Sequence, residues 1–209
     1  MYVPAQFEEK NLDALYDLIN NNALGCLMTQ HDGRLDANHI PFELCTETES
    51  LGVLKAHIAR ENPLFQQLQD QEEVLVVFQA DQGYISPNWY PEKLQHHRAV
   101  PTWNYRVVHV RGRIRIHDDE KFLRGLLARL TRQHEATQPR PWKMSDAPAD
   151  YIAEQLCKIV GIEIEITDLQ GKFKISQNRS LEDRQGVVNG LTKQGSLALA
   201  QSVQGTLTE

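Results

Sequence analysis

Residues 99–117 read AVPTWNYRVVHVRGRIRIH, and their pattern decides the fold class. After a proline and two aromatic rings the stretch settles into alternation. Val108, Val110, Ile114 and Ile116 fall on one side, and His109, Arg111, Arg113, Arg115 and His117 on the other. A period of two over this length is a strand with one face buried. Further on, GIEIEIT (161–167) alternates Ile162, Ile164 and Ile166 with Glu163 and Glu165. Paired, the two strands set arginine against glutamate on the solvent side, at about 0.2–1 kcal/mol per pair. The arginine stripe is therefore read as barrel wall before it is read as a grip on phosphates.

Working outward, the same logic yields further strands. LGCLMTQ (24–30) and LDANHIPFEL (35–44) flank Asp32-Gly33, a strong hairpin signal, with Pro41 confining the second to an edge or a bulge. LGVLKAHIA (51–59) and EEVLVVFQA (72–80) follow, and GKFKISQNRS (171–180) gives a last short strand and loop. Helices are expected over 11–20, with Asn11 as N-cap, over 118–135, capped by Asp118 or Asp119, and over about 149–158. The 118–135 helix buries Phe122, Leu123, Leu126, Leu127 and Leu130. The connections between the early strands are too short for parallel crossovers. The expected fold is α+β, mainly β: an antiparallel split β-barrel with peripheral helices. One domain is expected over 1–191, followed by a polar, flexible tail over 192–209.

With 209 residues, 41% hydrophobic and 24% charged, the chain can bury a substantial core. No apolar run approaches bilayer length and no secretory signal opens the chain, so a cytoplasmic protein with no membrane association is expected. Cys26, Cys45 and Cys157 form no CxxC pair, and neither HExxH nor a helical histidine pair is present, so no metal site is expected. A formal net charge of −6 argues against nonspecific nucleic-acid binding without excluding a local basic patch.

Four places carry chemistry. In HIARENP (57–63), His57, Arg60 and Asn62 gather where a strand breaks into a short helix, either as a cradle for a phosphate monoester or as a solvated arginine beside a helix cap. In KFKISQN (172–178), Lys172 and Lys174 share a face, and Gln177 and Asn178 supply amides that either read a ring edge or end a strand. Trp103 and Tyr105 share a face and offer a platform for a flat heterocycle, with core packing as the alternative. GYISPNWYPEKLQHHRAVPT (83–102) is a long irregular segment whose Tyr84, Trp89 and Tyr90 argue against disorder.

HIPF (39–42), HIARENP, YISPNWY (84–90), VPTWNYRVVHVRG (100–112), IVGIEIEIT (159–167) and KISQNR (174–179) occur in that order. Together they closely resemble the PaiB family of FMN-binding negative transcriptional regulators, from near residue 1 to about Leu191. The resemblance implies a split barrel similar to pyridoxamine-phosphate oxidase, FMN as cofactor, and a homodimer with the flavin at the subunit interface. It implies that His57, Arg60 and Asn62 match phosphate ligands, that His39 lines the pocket from a neighbouring strand, and that Trp103, Tyr105, Lys174 and Gln177 lie near the ring and ribityl chain. Where the family usually reads GPHAYISP this chain reads ADQGYISP, so the pocket edge before Tyr84 is expected to differ. The function implied is repression of transcription by a homodimer that contacts DNA. The alternative is a flavin-dependent reductase or oxidase of the same superfamily, with haem binding a third reading. No residue stands out as a general base; His57 and His109 would qualify only beside N5 of the ring. The best candidate for DNA contact is the helix bearing Arg124, Arg129 and Arg132, although Glu120 and Glu135 accompany them.

Overall fold

A computed structural model describes residues 1–47 and 51–207. Among these residues the fold is the expected α+β, mainly β, split-barrel class, with eight strands in one antiparallel sheet and seven helices. The strands are β1 (Glu8–Glu9), β2 (Leu24–His31), β3 (Arg34–Pro41), β4 (Glu43–Cys45), β5 (Val53–Ala59), β6 (Glu73–Ile85), β7 (Thr102–His117) and β8 (Ile159–Lys174). The helices are α1 (Leu12–Asn21), α2 (Leu64–Gln67), α3 (Lys93–His96), α4 (Glu120–Glu135), α5 (Ala149–Leu156), α6 (Leu181–Lys193) and α7 (Leu197–Gly205). Strand order is β3-β2-β6-β7-β8-β5-β4, with β1 added to β8. The hydrogen-bonded path is open, ending at β3 and β4. No helix is long and apolar enough to cross a membrane among the described residues.

The chain forms two compact units, and β6, β7 and β8 each contribute residues to both. One comprises Ile19–Phe78 and Val110–Leu169 and is called the hairpin unit below. Its β2–β3 hairpin pairs Leu24 with Pro41 and His31 with Arg34. Asp32 (φ 50°) and Gly33 (φ 74°) make the turn, both in the left-handed region that a two-residue hairpin loop of this kind demands. β5 runs along β8 from Val53↔Glu165 to Ala59↔Ile159. Leu27, Leu54, Val76, Phe78, Ile114, Leu126, Ile162 and Ile164 are all fully buried, so the alternation read from the sequence does mark the core. The arginine–glutamate rungs expected between β7 and β8 are replaced by other pairs. Glu163 meets Lys55 of β5 at 3.4 Å and His117 at 3.8 Å, and Arg111 meets Glu73 of β6 at 3.7 Å. β8 has a second neighbour in β5, and its glutamate turns toward the lysine there.

The other unit, called the terminal unit, comprises Met1–Leu18, Gln79–His109 and the chain from Gln170. Asn11 caps α1 as expected, accepting from the Asp13 N–H at 2.9 Å. β8 continues through Lys174 as one strand where the sequence suggested a break, and β1 pairs with its end, Glu8 opposite Lys172. The long irregular segment is shorter than expected, because β6 extends to Ile85 and a 3-10 turn (Pro87–Trp89) and α3 follow. Trp89 is packed on α6: a Cβ at Gly190 would lie 2.3 Å from its indole, a distance only glycine permits. The expected flexible tail over 192–209 is corrected up to its last two residues, which lie outside the described residues. It holds the end of α6 and all of α7, with Leu199, Ala200 and Val203 buried. Polar composition concealed a helix whose buried face is only these few apolar residues wide.

Candidate functional site

The eight candidate residues divide evenly between the units. His39, His57, Arg60 and Asn62 lie in the hairpin unit; Trp103, Tyr105, Lys174 and Gln177 lie in the terminal unit.

In the hairpin unit, His39 is exposed on β3, opposite Cys26 of β2. His57 sits on β5 opposite Gly161, half-buried, and its Nδ1 is enclosed with no hydrogen-bond partner among the described residues. Burial pushes its imidazole below the ordinary 6.5, because the charged form loses solvation. Arg60 is fully committed to its own unit. Its Nη1 and Nη2 donate to the Asp118 carboxylate at 2.8 and 2.5 Å, Nε to the Cys157 carbonyl at 2.9 Å, and Nη2 also to the Ile159 carbonyl at 3.2 Å. The guanidinium in turn holds the Asp118 carboxyl below the usual carboxylate range. Asn62 accepts from the Leu64 N–H at 2.9 Å and donates to Asn38 Oδ1 at 3.1 Å. With α2 only four residues long, the segment is built as a strand-to-helix corner. Its fork and its cap each have an internal partner.

In the terminal unit the rings face outward. Trp103 is 54% exposed and Tyr84 is 47% exposed, and the two meet edge to face with centroids 6.4 Å apart. Lys172 Nζ stands 5.4 Å from the Tyr105 ring centroid. Large rings left in solvent cost hydrophobic free energy, so an exposed aromatic pair beside a cation marks a binding surface more than a core. Lys174 donates to Thr102 Oγ1. Its amino group lies below the usual lysine range, chiefly through desolvation, with Lys172 and Arg179 repelling it further. Gln177 folds back on its own strand, accepting from the Ile175 N–H at 2.8 Å and donating to the Phe173 carbonyl at 2.5 Å. It ends a strand, the plainer of its two readings.

A cavity of about 170 Å³ opens in this unit, lined by Tyr90, Thr102, Asn104, Lys174, Ser176 and Arg179 among others. Asn104 is 1% exposed and donates to Ser176 Oγ at 2.8 Å. Asn104 Oδ1 is buried without a partner among the described residues, and the equally enclosed Tyr90 hydroxyl makes no well-formed hydrogen bond, with the Arg179 guanidinium beside it. Sequence reasoning nominated only Lys174 of this group. Tyr90 and Arg179 lie inside the quoted motifs YISPNWY and KISQNR, while Asn104 was hidden as the middle residue of WNY.

The family model described as "Putative FMN-binding domain" matches residues 1–168. An uncharacterized protein of Emericella nidulans is 37% identical, covering 94% of this chain and 92% of its own. The Bacillus subtilis protein named "Protease synthase and sporulation protein PAI 2" is 29% identical, covering 91% of this chain and 89% of its own. Among solved structures, the FAD and heme binding protein from Mycobacterium smegmatis superposes with a TM-score of 0.55 at 16% identity, over 80% of this chain and 73% of that one, which speaks to the fold. The motif resemblance and the matched family agree: the chain belongs to the FMN-binding-domain family that includes PaiB, and FMN is the cofactor this membership assigns to it.

Proposed function

We propose that the chain is a cytoplasmic FMN-binding regulator of the PaiB type, acting as a homodimer and contacting DNA. The observation that carries the flavin reading is the exposed, edge-to-face Tyr84–Trp103 pair on the unit where Lys172 stands over Tyr105, which leaves aromatic surface in solvent together with a positive charge. In this reading Trp103 and Tyr105 meet the isoalloxazine; His57, with its enclosed Nδ1, is the hairpin unit's own candidate for a polar contact with a flavin. These residues fit the cofactor: rings for stacking, cations for a phosphorylated chain, and a buried nitrogen lacking a partner. His39 is retained as an exposed pocket-lining group. Arg60, Asn62 and Gln177 are left out, because each already satisfies the polar atoms it would offer. Bound flavin supplies redox chemistry; the protein's part is to hold it and tune its surroundings.

The name of the Bacillus subtilis relative, a protease synthase and sporulation protein, supports a regulatory role over a metabolic one. Of the α4 arginines named for DNA contact, Arg124 is paired with Glu120 and Arg129 with Glu43, while the exposed Arg132 is in no ion pair among the described residues. The exposed Arg113 and Arg115 of β7 are the better candidates. Purified protein is expected to take up FMN with a flavin absorption band and to shift its own upstream DNA with a steep salt dependence. Absence of a salt-sensitive shift, together with bleaching of the flavin by NADH or NADPH, would replace the regulator with the oxidoreductase.

A further inference from the structure

The cavity of the terminal unit carries features that an aromatic platform does not need. Its walls combine two cations, Lys174 and Arg179, with Tyr90, Asn104 and Ser176, which are almost wholly buried. Buried polar atoms are nearly always paired, and an unpaired one destabilises the fold unless a ligand or water meets it. Here two occur on one small cavity: the Tyr90 hydroxyl, which can donate to an anion, and Asn104 Oδ1, an acceptor that calls for an O–H on the ligand, as hydrogen phosphate carries. Ser176 holds its place at φ 70°, a left-handed conformation uncommon for a residue with a side chain, and it accepts the Asn104 amide. Among the described residues no carboxylate forms an ion pair with Lys174 or Arg179, whereas Arg60, Arg106 and Arg129 are each so paired. Arg179 leans over the Tyr90 ring, 4.6 Å from its centroid, and Asp183, an acid whose charge Tyr90 feels, accepts the Glu92 N–H at 3.2 Å. Two cations gathered in a half-closed space without a counter-charge repel each other, and a bound anion relieves that repulsion.

Size narrows the ligand. At about 170 Å³ the cavity is below the roughly 300–1,000 Å³ of pockets that enclose whole drug-sized molecules. It suits a compact head group. We propose that this cavity is a binding site for a small oxyanion, a phosphate or a carboxylate, held by Lys174 and Arg179 with the Tyr90 hydroxyl as a further donor. Asn104, whose amide is positioned by Ser176, orients the polar wall. The proposal uses none of Trp103, Tyr84 or His57, but it shares Lys174 with the flavin reading, and displacement of FMN by phosphate tells the two apart.

The test is isothermal titration of flavin-free and FMN-loaded protein with inorganic phosphate and, separately, with acetate, against sodium chloride at matched ionic strength. Saturable binding of phosphate or acetate is expected, weakened roughly tenfold or more in Lys174→Met and in Arg179→Met. The anion that binds tighter identifies the head group. Displacement of bound FMN by phosphate would assign the site to the cofactor's own phosphate, and binding of both together would assign it to a second ligand. Lys174→Arg keeps the charge and is expected to retain binding. No saturable heat with either anion in the wild-type protein overturns the proposal, as does an affinity unchanged in both methionine variants. FMN uptake is read separately by absorption, so failure of the oxyanion site and failure of the flavin reading are distinguishable.

Discussion

Two cationic clusters in this molecule look alike in sequence and differ in structure. HIARENP in the hairpin unit and KISQNR in the terminal unit each offer basic groups beside amides. In the first, Arg60 is neutralised by Asp118 and capped by two backbone carbonyls. In the second, Lys174 and Arg179 line a cavity with no carboxylate paired to either among the described residues, beside two buried atoms that lack partners. A basic residue whose hydrogen-bonding capacity is already spent holds the fold together. One whose capacity is unspent is available to a ligand.

The largest expected effect separates the units by stability. Leu199→Ala removes a 2%-exposed side chain from α7 and is expected to cost about 2–5 kcal/mol. α7 also carries Ser202, which donates to Asp81 at 3.0 Å, while Asp81 accepts the Arg106 guanidinium that leans on Phe173 of β8. Hydrogen exchange should therefore accelerate in the terminal unit, around β6 and the end of β8, while the β2–β3 hairpin keeps its protection. Uniform acceleration throughout would dissolve the distinction.

Next in size is the contrast between Arg60 and Lys174. Arg60→Met strands the Asp118 carboxylate and two carbonyls, and it should lower the melting temperature while leaving FMN uptake and phosphate binding unchanged. Lys174→Met relieves a desolvated cation, so its melting temperature should hold or rise while phosphate binding is lost. If Arg60→Met instead abolishes FMN binding at an unchanged melting temperature, the phosphate-cradle reading of HIARENP returns. Trp103→Ala is a smaller test of the platform. Its ring is already half in solvent, so stability should barely move. FMN affinity should fall by up to about tenfold from the stacking term of roughly 0.5–1.5 kcal/mol, with further loss from buried area.

What the sequence made legible was local. The Asp32-Gly33 turn, the Asn11 cap and the alternation of β7 depend on residues next to or a few places from one another, so they could be read without a partner. What it hid was distant. The group that claims Arg60 lies 58 residues away at Asp118, and the carbonyls lie further still. From sequence, the departure ADQG before Tyr84 points to an altered pocket edge. In the structure Asp81 ties β7 to α7, and a Cβ on Gly83 would come within 2.9 Å of Leu199. Those residues accommodate a helix that a polar composition gave no reason to expect. The oxyanion cavity was hidden likewise, because its parts come from separate segments and only their convergence shows that two polar atoms are left over.

The smallest effect concerns His57, whose enclosed Nδ1 makes it the hairpin unit's counterpart to the unsatisfied atoms of the terminal unit. Burial lowers its folded-state pKa below 6.5, whereas the unfolded chain titrates near that value. As pH falls through 6.5 the unfolded state takes up a proton that the native state refuses, so stability declines until the folded pKa is passed. Thermal melts of flavin-free protein should show this decline at mildly acidic pH, and His57→Gln should flatten it, the amide keeping a polar group that does not titrate. If FMN occupies Nδ1 through a hydrogen bond accepted by that nitrogen, the neutral imidazole is favoured further, and FMN-loaded protein should lose cofactor affinity as pH falls through the same window. An FMN affinity independent of pH there, in wild type and His57→Gln alike, would remove His57 from the cofactor site. The flavin reading would then rest on the terminal unit's rings and cations.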